Sequence, residues 1–245
     1  MLSGIREVAV ITQRKDLQAL NSLLGDGTRL GMELTYLIQD EPLGIADTIR
    51  LAEEFLGGSD FLLALGDNVF FGSGLSGVLR QMTEDSNLSR ILVKEVMDPE
   101  RFGVAWLDDH GKVTAIEEKP SSPTSRFAIT GLYFFDQGAV AIASSLTPSH
   151  RGELEITDVL IDSMHKSQLR AWVLPRGTMW LDTGTIESMM NAAEFVRSFQ
   201  SLSGQLIGSP EEVAWRNGWI DSAQLRKSAA AYQNSYGAKL IELVS

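Results

Sequence analysis

Cysteine is absent from all 245 residues, which excludes disulfides, thiolate zinc sites and cysteine nucleophiles and agrees with a cytoplasmic setting. Positive charge is scarce too. Twenty-one Lys and Arg stand against 32 Asp and Glu, a net charge of −11 with a pI near 4.8. Wholesale binding to nucleic acid or to an anionic membrane needs an electropositive face and is not expected, although a few local cations suffice for a small phosphorylated ligand. No stretch approaches the roughly 18 apolar residues of a membrane span. Met1 to Arg6 lacks the basic and apolar regions of a signal peptide. Histidine is rare, and His110, His150 and His165 have no metal-ligand spacing, so they read as surface or capping residues. No nucleophilic triad or Walker loop is visible. The apolar fraction, 44%, is ordinary for a globular protein with a sizeable core.

Two short stretches far apart organise what is present: Leu65-Gly66-Asp67-Asn68 and Trp180-Leu181-Asp182-Thr183-Gly184-Thr185. The first closes the apolar run Phe61 to Leu65, which predicts Asp67 just beyond the carboxyl end of a buried parallel strand, where open α/β sheets place their ligands. Asp182 has a similar strand-end setting. Two such carboxylates can converge on one divalent cation that also takes phosphate oxygens, or each can simply shape its own turn.

The chain up to Asp67 reads as alternating strands and helices: Glu7–Thr12, Lys15–Leu24, Leu34–Ile38, a loop from Gln39 to Gly44, Ile45–Leu56 and Phe61–Leu65. That alternation predicts an α/β fold with a doubly wound, mainly parallel Rossmann-like sheet. From Asp98 the pattern turns to short strands around Asp109-His110-Gly111-Lys112, predicting a small antiparallel part. A long amphipathic helix, Ile186–Leu202, and a helical tail with starts at Pro210-Glu211-Glu212 and Asp221-Ser222 complete the chain. One compact unit over 1–245 is expected.

Glu118-Lys119-Pro120 sets an acid, a cation and a φ-fixing proline at a strand end. It reads either as a sugar and phosphate contact or as a solvated terminus. Arg151 beside Gly152 offers a planar fork to a phosphate, or caps a helix. Tyr133 and Trp180 flank the strands concerned, as core or as ligand platform. Taken together and in order, Leu65-Gly66-Asp67-Asn68, Asp98-Pro99-Glu100-Arg101-Phe102-Gly103-Val104, Glu117-Glu118-Lys119-Pro120, Thr130 to Phe134, Arg151 to Asp158 and Trp180 to Thr185 closely resemble the glucose-1-phosphate thymidylyltransferases, a family of sugar-phosphate nucleotidylyltransferases.

The resemblance implies transfer of a nucleotidyl group from dTTP to glucose 1-phosphate, giving dTDP-glucose and pyrophosphate. It implies Mg²⁺ on Asp67 and Asp182, and Gln39 and Gly44 against the base. Asn68, Gly103, Glu118 and Tyr133 would meet the sugar part of the substrate, with Lys119 and Arg151 facing its phosphate as the catalytic cations. It also implies a homo-oligomer, dimer or tetramer, and a division into a nucleotide-binding part (1–96), a sugar-phosphate part (97–185) and a helical region (186–245). Two residues depart from the family pattern: Phe102 stands where tyrosine is usual, and Asp47 where an amide is usual. The family's opening strand, Gly-Gly-x-Gly-Thr-Arg-Leu loop and following lysine are also not found, an expectation of about one βα unit, on the order of 30 to 45 residues. On that ground two readings stand: an enzyme, poorly active as this chain, or a non-catalytic relative that binds sugar nucleotide or acts structurally.

Overall fold

The computed structural model describes residues 1–84 and 88–245. In chain order its elements are β1 (Glu7–Thr12), α1 (Leu17–Leu24), β2 (Glu33–Ile38), α2 (Ile45–Leu51), α3 (Glu53–Leu56), β3 (Phe61–Ala64) and β4 (Asn68–Phe71). Next come α4 (Leu75–Glu84), β5 (Ser89–Glu95), β6 (Gly103–Leu107), β7 (Val113–Glu118), β8 (Phe127–Phe135) and α5 (Ala139–Ser145). The remainder is α6 (Ile156–His165), β9 (Leu169–Val173), β10 (Met179–Asp182), α7 (Ile186–Ser203), α8 (Pro210–Arg216), α9 (Ser222–Ala229) and α10 (Ser235–Glu242). Among the described residues no helix is long and apolar enough to cross a membrane.

Contacts divide the chain into two compact units: Met1–Ile38, Leu75–Arg80 and Thr183–Ser245 form one, Gln39–Gly74 and Gln81–Asp182 the other. In the first, β1 and β2 pair in parallel from Glu7 with Glu33 to Thr12 with Ile38. The first helix starts at Leu17, two residues later than expected, and the others begin and stop on local signals. Thr185 and Ser188 exchange a capping box at the start of α7, Asp221 and Gln224 do the same for α9, and Ser209 caps α8 with Pro210 in its first turn. Gly25 and Gly204, both at positive φ, close α1 and α7. A small core of Leu30, Ala214, Ile220, Leu225, Ala229 and Leu240 holds this unit. Against it lies a buried acid, Glu211, which takes Arg29 Nη1 at 2.6 Å and the hydroxyls of Tyr232 and Tyr236.

The second unit is built on β8, buried along almost its whole length. β5 pairs along one edge of it. The other edge is shared: β3 takes Leu132 to Phe135, β6 takes Phe127 and Ala128, and residues 129–131 pair with neither strand. β7 extends β6, β9 extends β5, and α2, α5 and α6 pack together beside this sheet around a core that includes Ile91, Tyr133, Phe135, Val159 and Leu160. Each such fully buried large apolar side chain is worth about 1.5–3 kcal/mol.

The α/β class is as expected, but the sheet is less parallel than the alternation predicts. Among the described residues the parallel pairings are β1 with β2 and β5 with β9; the others are antiparallel, including β3 with β8. The turn at Asp108 to Lys112 is too short for a crossover and makes β6 and β7 antiparallel; the chain then returns along β6 through residues 119–126, so that β8 runs against all three of its neighbours, β3, β5 and β6. Asp67 therefore follows an antiparallel strand, not a parallel one. The helix expected over Ile45–Leu56 is interrupted at Ala52, giving α2 and α3.

Candidate active site

All the residues singled out for chemistry fall in the second unit, and they collect around the unpaired stretch of β8. Leu65 N–H donates to Gly131 O at 2.8 Å, fastening the turn after β3 to that gap. Asp67 follows, and Asn68 then begins β4, which pairs antiparallel with β10 so that Asn68 stands opposite Asp182. The two aspartates are thus one ladder step apart. The ladder is close because Gly72 has no side chain: a Cβ there would stand 2.8 Å from Thr178 Cα. Asn68 turns its carboxamide into the gap, where Oδ1 accepts from Gly131 N–H at 3.1 Å and from Trp180 Nε1–H at 2.6 Å while Nδ2 donates to Asp67 Oδ1 at 2.8 Å.

A cation not expected from the sequence sits beside this corner. Arg101 Nη1 binds Asp98 Oδ2 at 2.8 Å and its Nη2 lies 3.8 Å from Asp182 Oδ2. Its guanidinium covers the Phe102 ring, which in turn packs 4.9 Å from Trp180. Phe102, the residue standing in place of a tyrosine, therefore serves as an apolar shelf between Arg101 and the indole.

Across the gap, Gly103 and Glu118 face each other on β6 and β7. A Cβ on Gly103 would stand 3.2 Å from Thr157 Cγ2 and 3.3 Å from Glu118 Oε2, so glycine lets both side chains pack closely against the β6 backbone. Burial raises the pKa of Glu118; Lys119, Arg151 and a hydrogen bond from Thr157 pull it back, and Glu155 adds to the rise. Tyr133 is buried on β8, and burial, with Glu118 and Asp67 nearby, pushes its phenol far up, so it remains a neutral donor. Lys119 is held at φ +45°, a left-handed conformation that costs a residue with a β-carbon of order 1–3 kcal/mol and recurs at functional sites. Its N–H donates to Phe102 O at 3.1 Å.

Arg151 is surrounded by acids. Its fork grips Glu155 at 3.0 and 2.7 Å, Glu153 lies 3.4 Å away and Glu118 3.9 Å away. Ser149 Oγ donates to the same Glu155 at 2.8 Å, and Arg151 with Ser149 holds that carboxyl below its ordinary range. The same segment carries the loop of Gln39 and Gly44. Leu43 O accepts from Leu154 N–H at 2.7 Å and Leu154 O from Ala46 N–H at 3.1 Å; a Cβ on Gly44, at φ +102°, would stand 2.4 Å from Leu154 O. Gln39 Nε2 donates to Asp47 Oδ2 at 2.9 Å and to Gly44 O at 3.3 Å, which turns its Oε1 the other way as an acceptor. Asp47 is 4% exposed and lies 3.6 Å from Arg50, so its charge is spent inside the fold.

The structure gathers Asp67, Asn68, Tyr133 and Asp182, and beside them Gly103, Glu118, Lys119 and Arg151; Gln39 and Gly44 reach the group through the backbone of Leu154. Arg101, Thr157 and Glu155 are members that the sequence did not mark as such. The Arg151/Glu155 spacing of four was the one available signal. The three histidines are exposed, and among the described residues no cluster of three or more His, Cys, Asp or Glu forms a metal cage. A pair of carboxylates is nonetheless the donor set that suits Mg²⁺, which keeps several waters and takes its remaining ligands from phosphate oxygens.

An acidic pair, a half-buried glutamate and flanking cations on a helix-and-sheet scaffold suit work on a phosphorylated ligand, and the nucleotidyl transferase family model matches residues 1–198. The chain belongs to that family. Within it, the chain is 41% identical to the glucose-1-phosphate thymidylyltransferase of Neisseria meningitidis and 42% identical to that of Mycolicibacterium smegmatis, in each case over all of this chain and 85% of the relative. A Bacillus anthracis crystal structure assigned as a glucose-1-phosphate thymidylyltransferase, in complex with sucrose, superposes with a TM-score of 0.71 at 35% identity, covering 77% of this chain and 75% of that one. The Rossmann-like fold of these enzymes is the fold of this chain, and it is a member of the glucose-1-phosphate thymidylyltransferase family.

Proposed function

We propose that this chain transfers a thymidylyl group from dTTP to glucose 1-phosphate, and that Asp67 and Asp182 together bind Mg²⁺ for the reaction. The observation that carries the reading is the β4–β10 ladder, which brings two carboxylates from distant parts of the chain to one corner. A phosphate oxygen of the sugar phosphate attacks the α-phosphorus, the bond to the β-phosphate oxygen breaks, and pyrophosphate leaves with the electron pair. The metal, when bound, neutralises charge on the phosphates. Glu118 accepts from sugar hydroxyls beside Gly103, and Tyr133 donates to the sugar. Asn68 borders the sugar, Lys119 and Arg151 face the sugar's phosphate, and Gln39 Oε1 accepts from the N–H of the pyrimidine beside Gly44. The test is pyrophosphate release from dTTP with glucose 1-phosphate and Mg²⁺, together with calorimetric binding of dTDP-glucose. Saturable binding with sugar-dependent release is expected; absence of both would overturn the reading.

Glu118 offers a sharper expectation because its two roles oppose one another. Its folded pKa is raised chiefly by burial, so its ionised form costs stability once the pH rises above that value, and nothing below the ordinary carboxylate range. Glu118→Gln should therefore melt higher than the parent at pH 7 and lose that advantage near pH 4. The same change removes a charged acceptor from the sugar, about 1.5–3 kcal/mol, or roughly 10- to 150-fold in kcat/KM for glucose 1-phosphate. Lower melting at pH 7, or unchanged kcat/KM, would contradict this assignment.

The chain is further expected to act in the cytoplasm and to assemble as a dimer or tetramer. Ile186, Met189 and Met190 on α7 are 77%, 54% and 65% exposed, an apolar stripe that a second copy would cover. Sedimentation at micromolar concentration should show an oligomer, and a monomer alone would count against it.

A further inference from the structure

We infer that Asn68 is the positioning residue of the metal corner, orienting Asp67 rather than coordinating the ion itself. The inference rests on the proposed metal role of Asp67 and deepens it. An amide can face its neighbours in two ways, and here the surroundings fix which. Oδ1 meets two donors that cannot accept, the backbone N–H of Gly131 and the indole N–H of Trp180, so Nδ2 has to point at Asp67 Oδ1. Both donors sit on sheet strands, β8 and β10, so the amide is held by rigid elements and passes that order to a carboxylate lying in the turn before β4. The bond fixes the plane of the Asp67 carboxylate, and with it the direction in which both of its oxygens present their lone pairs. Gly131 completes the arrangement: a Cβ there would stand 2.7 Å from both Cγ and Oδ1 of Asn68, so any larger residue displaces the amide. The unpaired stretch of β8 is thus filled by a side chain that replaces a missing ladder bond and at the same time aims a ligand.

The test is a Mn²⁺ titration of the full chain followed by the ion's electron paramagnetic resonance signal, with no substrate present and folding checked by circular dichroism. Asn68→Ala and Gly131→Ala should each raise the Mn²⁺ dissociation constant about tenfold, as loss of a residue that orients a metal ligand does. In the double variant the second change should add nothing, because the side chain with which the new methyl collides is gone. A purely structural role for Asn68 would shift the melting temperature and leave the Mn²⁺ constant within twofold of the parent. Asp67→Asn separates the two ideas. If it abolishes Mn²⁺ binding while Asn68→Ala and Gly131→Ala leave it intact, the positioning role falls and the metal site stands. If Asp67→Asn binds Mn²⁺ as the parent does, the metal reading fails and the positioning role with it. Should Asn68→Ala not fold, Gly131→Ala decides by the same twofold limit.

Discussion

Asp182→Asn should reduce nucleotidyl transfer by about 10³-fold or more while leaving the chain folded. Asp182 is the last residue of β10, and its side chain is a quarter exposed, outside the apolar core that holds the unit. The change keeps its volume and removes only charge. A carboxylate on a metal that neutralises phosphate contributes as a preorganised electrostatic group does, typically 10²- to 10³-fold, and more where the ion leaves with it. Asp67→Asn should cost as much. The double variant should be little worse than either, since the two carboxylates act as one unit. Arg101, 3.8 Å from Asp182, makes the expectation more specific. With Asp182 neutral it keeps its stronger bond to Asp98, so the fold around Phe102 should not change. Turnover within a factor of a few of the parent in Asp182→Asn would refute the shared metal site.

Much of this corner is legible in the amino-acid sequence alone, and the part that is not has a physical cause. An apolar run closed by Gly66-Asp67 reads as a strand end because burial on a sheet and turn chemistry both leave local marks. The acid at 118 falls in a strand-end turn for the same reason, whereas the glycines at 44 and 103 are marked only by the family resemblance. The β4–β10 ladder leaves none. Each strand is four residues long, too short for an alternation to show, and their pairing joins positions 68 and 182. The antiparallel entry of β8 is a topological fact about which edge a strand joins, and the β6–β7 hairpin before it is compatible with either direction. Thr157 reads as an ordinary early helix residue, and only the fold shows that its hydroxyl meets Glu118. Arg151 is legible as a cation but not as one already gripped by Glu155 and flanked by Glu153 and Glu118, because two of those acids lie on the same turn and the third comes from β7. The fork of Arg151 is thus already held by carboxylates and is not free.

Glu211→Ala should destabilise the fold by about 3 kcal/mol, the lower end of what removing one partner of a buried ion pair costs. In sequence Glu211 is only an acid in the first turn of α8, where the helix dipole favours it. In the fold it is fully buried and accepts from Arg29, Tyr232 and Tyr236, with Ser209 bonded to the Tyr236 hydroxyl at 2.8 Å, so that one carboxylate fastens α8 to α10 and to the turn holding Arg29. Alanine would take an acceptor from two phenols and a guanidinium at once, although Tyr236 keeps its bond to Ser209. Arg29, 39% exposed, can rehydrate, which keeps the loss from the top of the range. For a chain of this length about 3 kcal/mol lowers the melting temperature by roughly 6–12 °C. Acid should reproduce the effect. Burial raises the pKa of Glu211, but the hydrogen bonds from Tyr236, Arg29 and Tyr232 outweigh it and leave the value depressed. A depressed carboxyl stabilises the fold above its unfolded value, about 4.3, and that stabilisation is lost as the pH falls through the folded value. Calorimetric scans from pH 7 to pH 3 should show the parent falling toward Glu211→Gln, which lacks this titration, with the gap between them closing in acid. A constant gap, or Glu211→Ala melting within 1 °C of the parent, would mean that the network merely fills space, and that the apolar cluster of Leu225, Ala229 and Leu240 holds these helices without it.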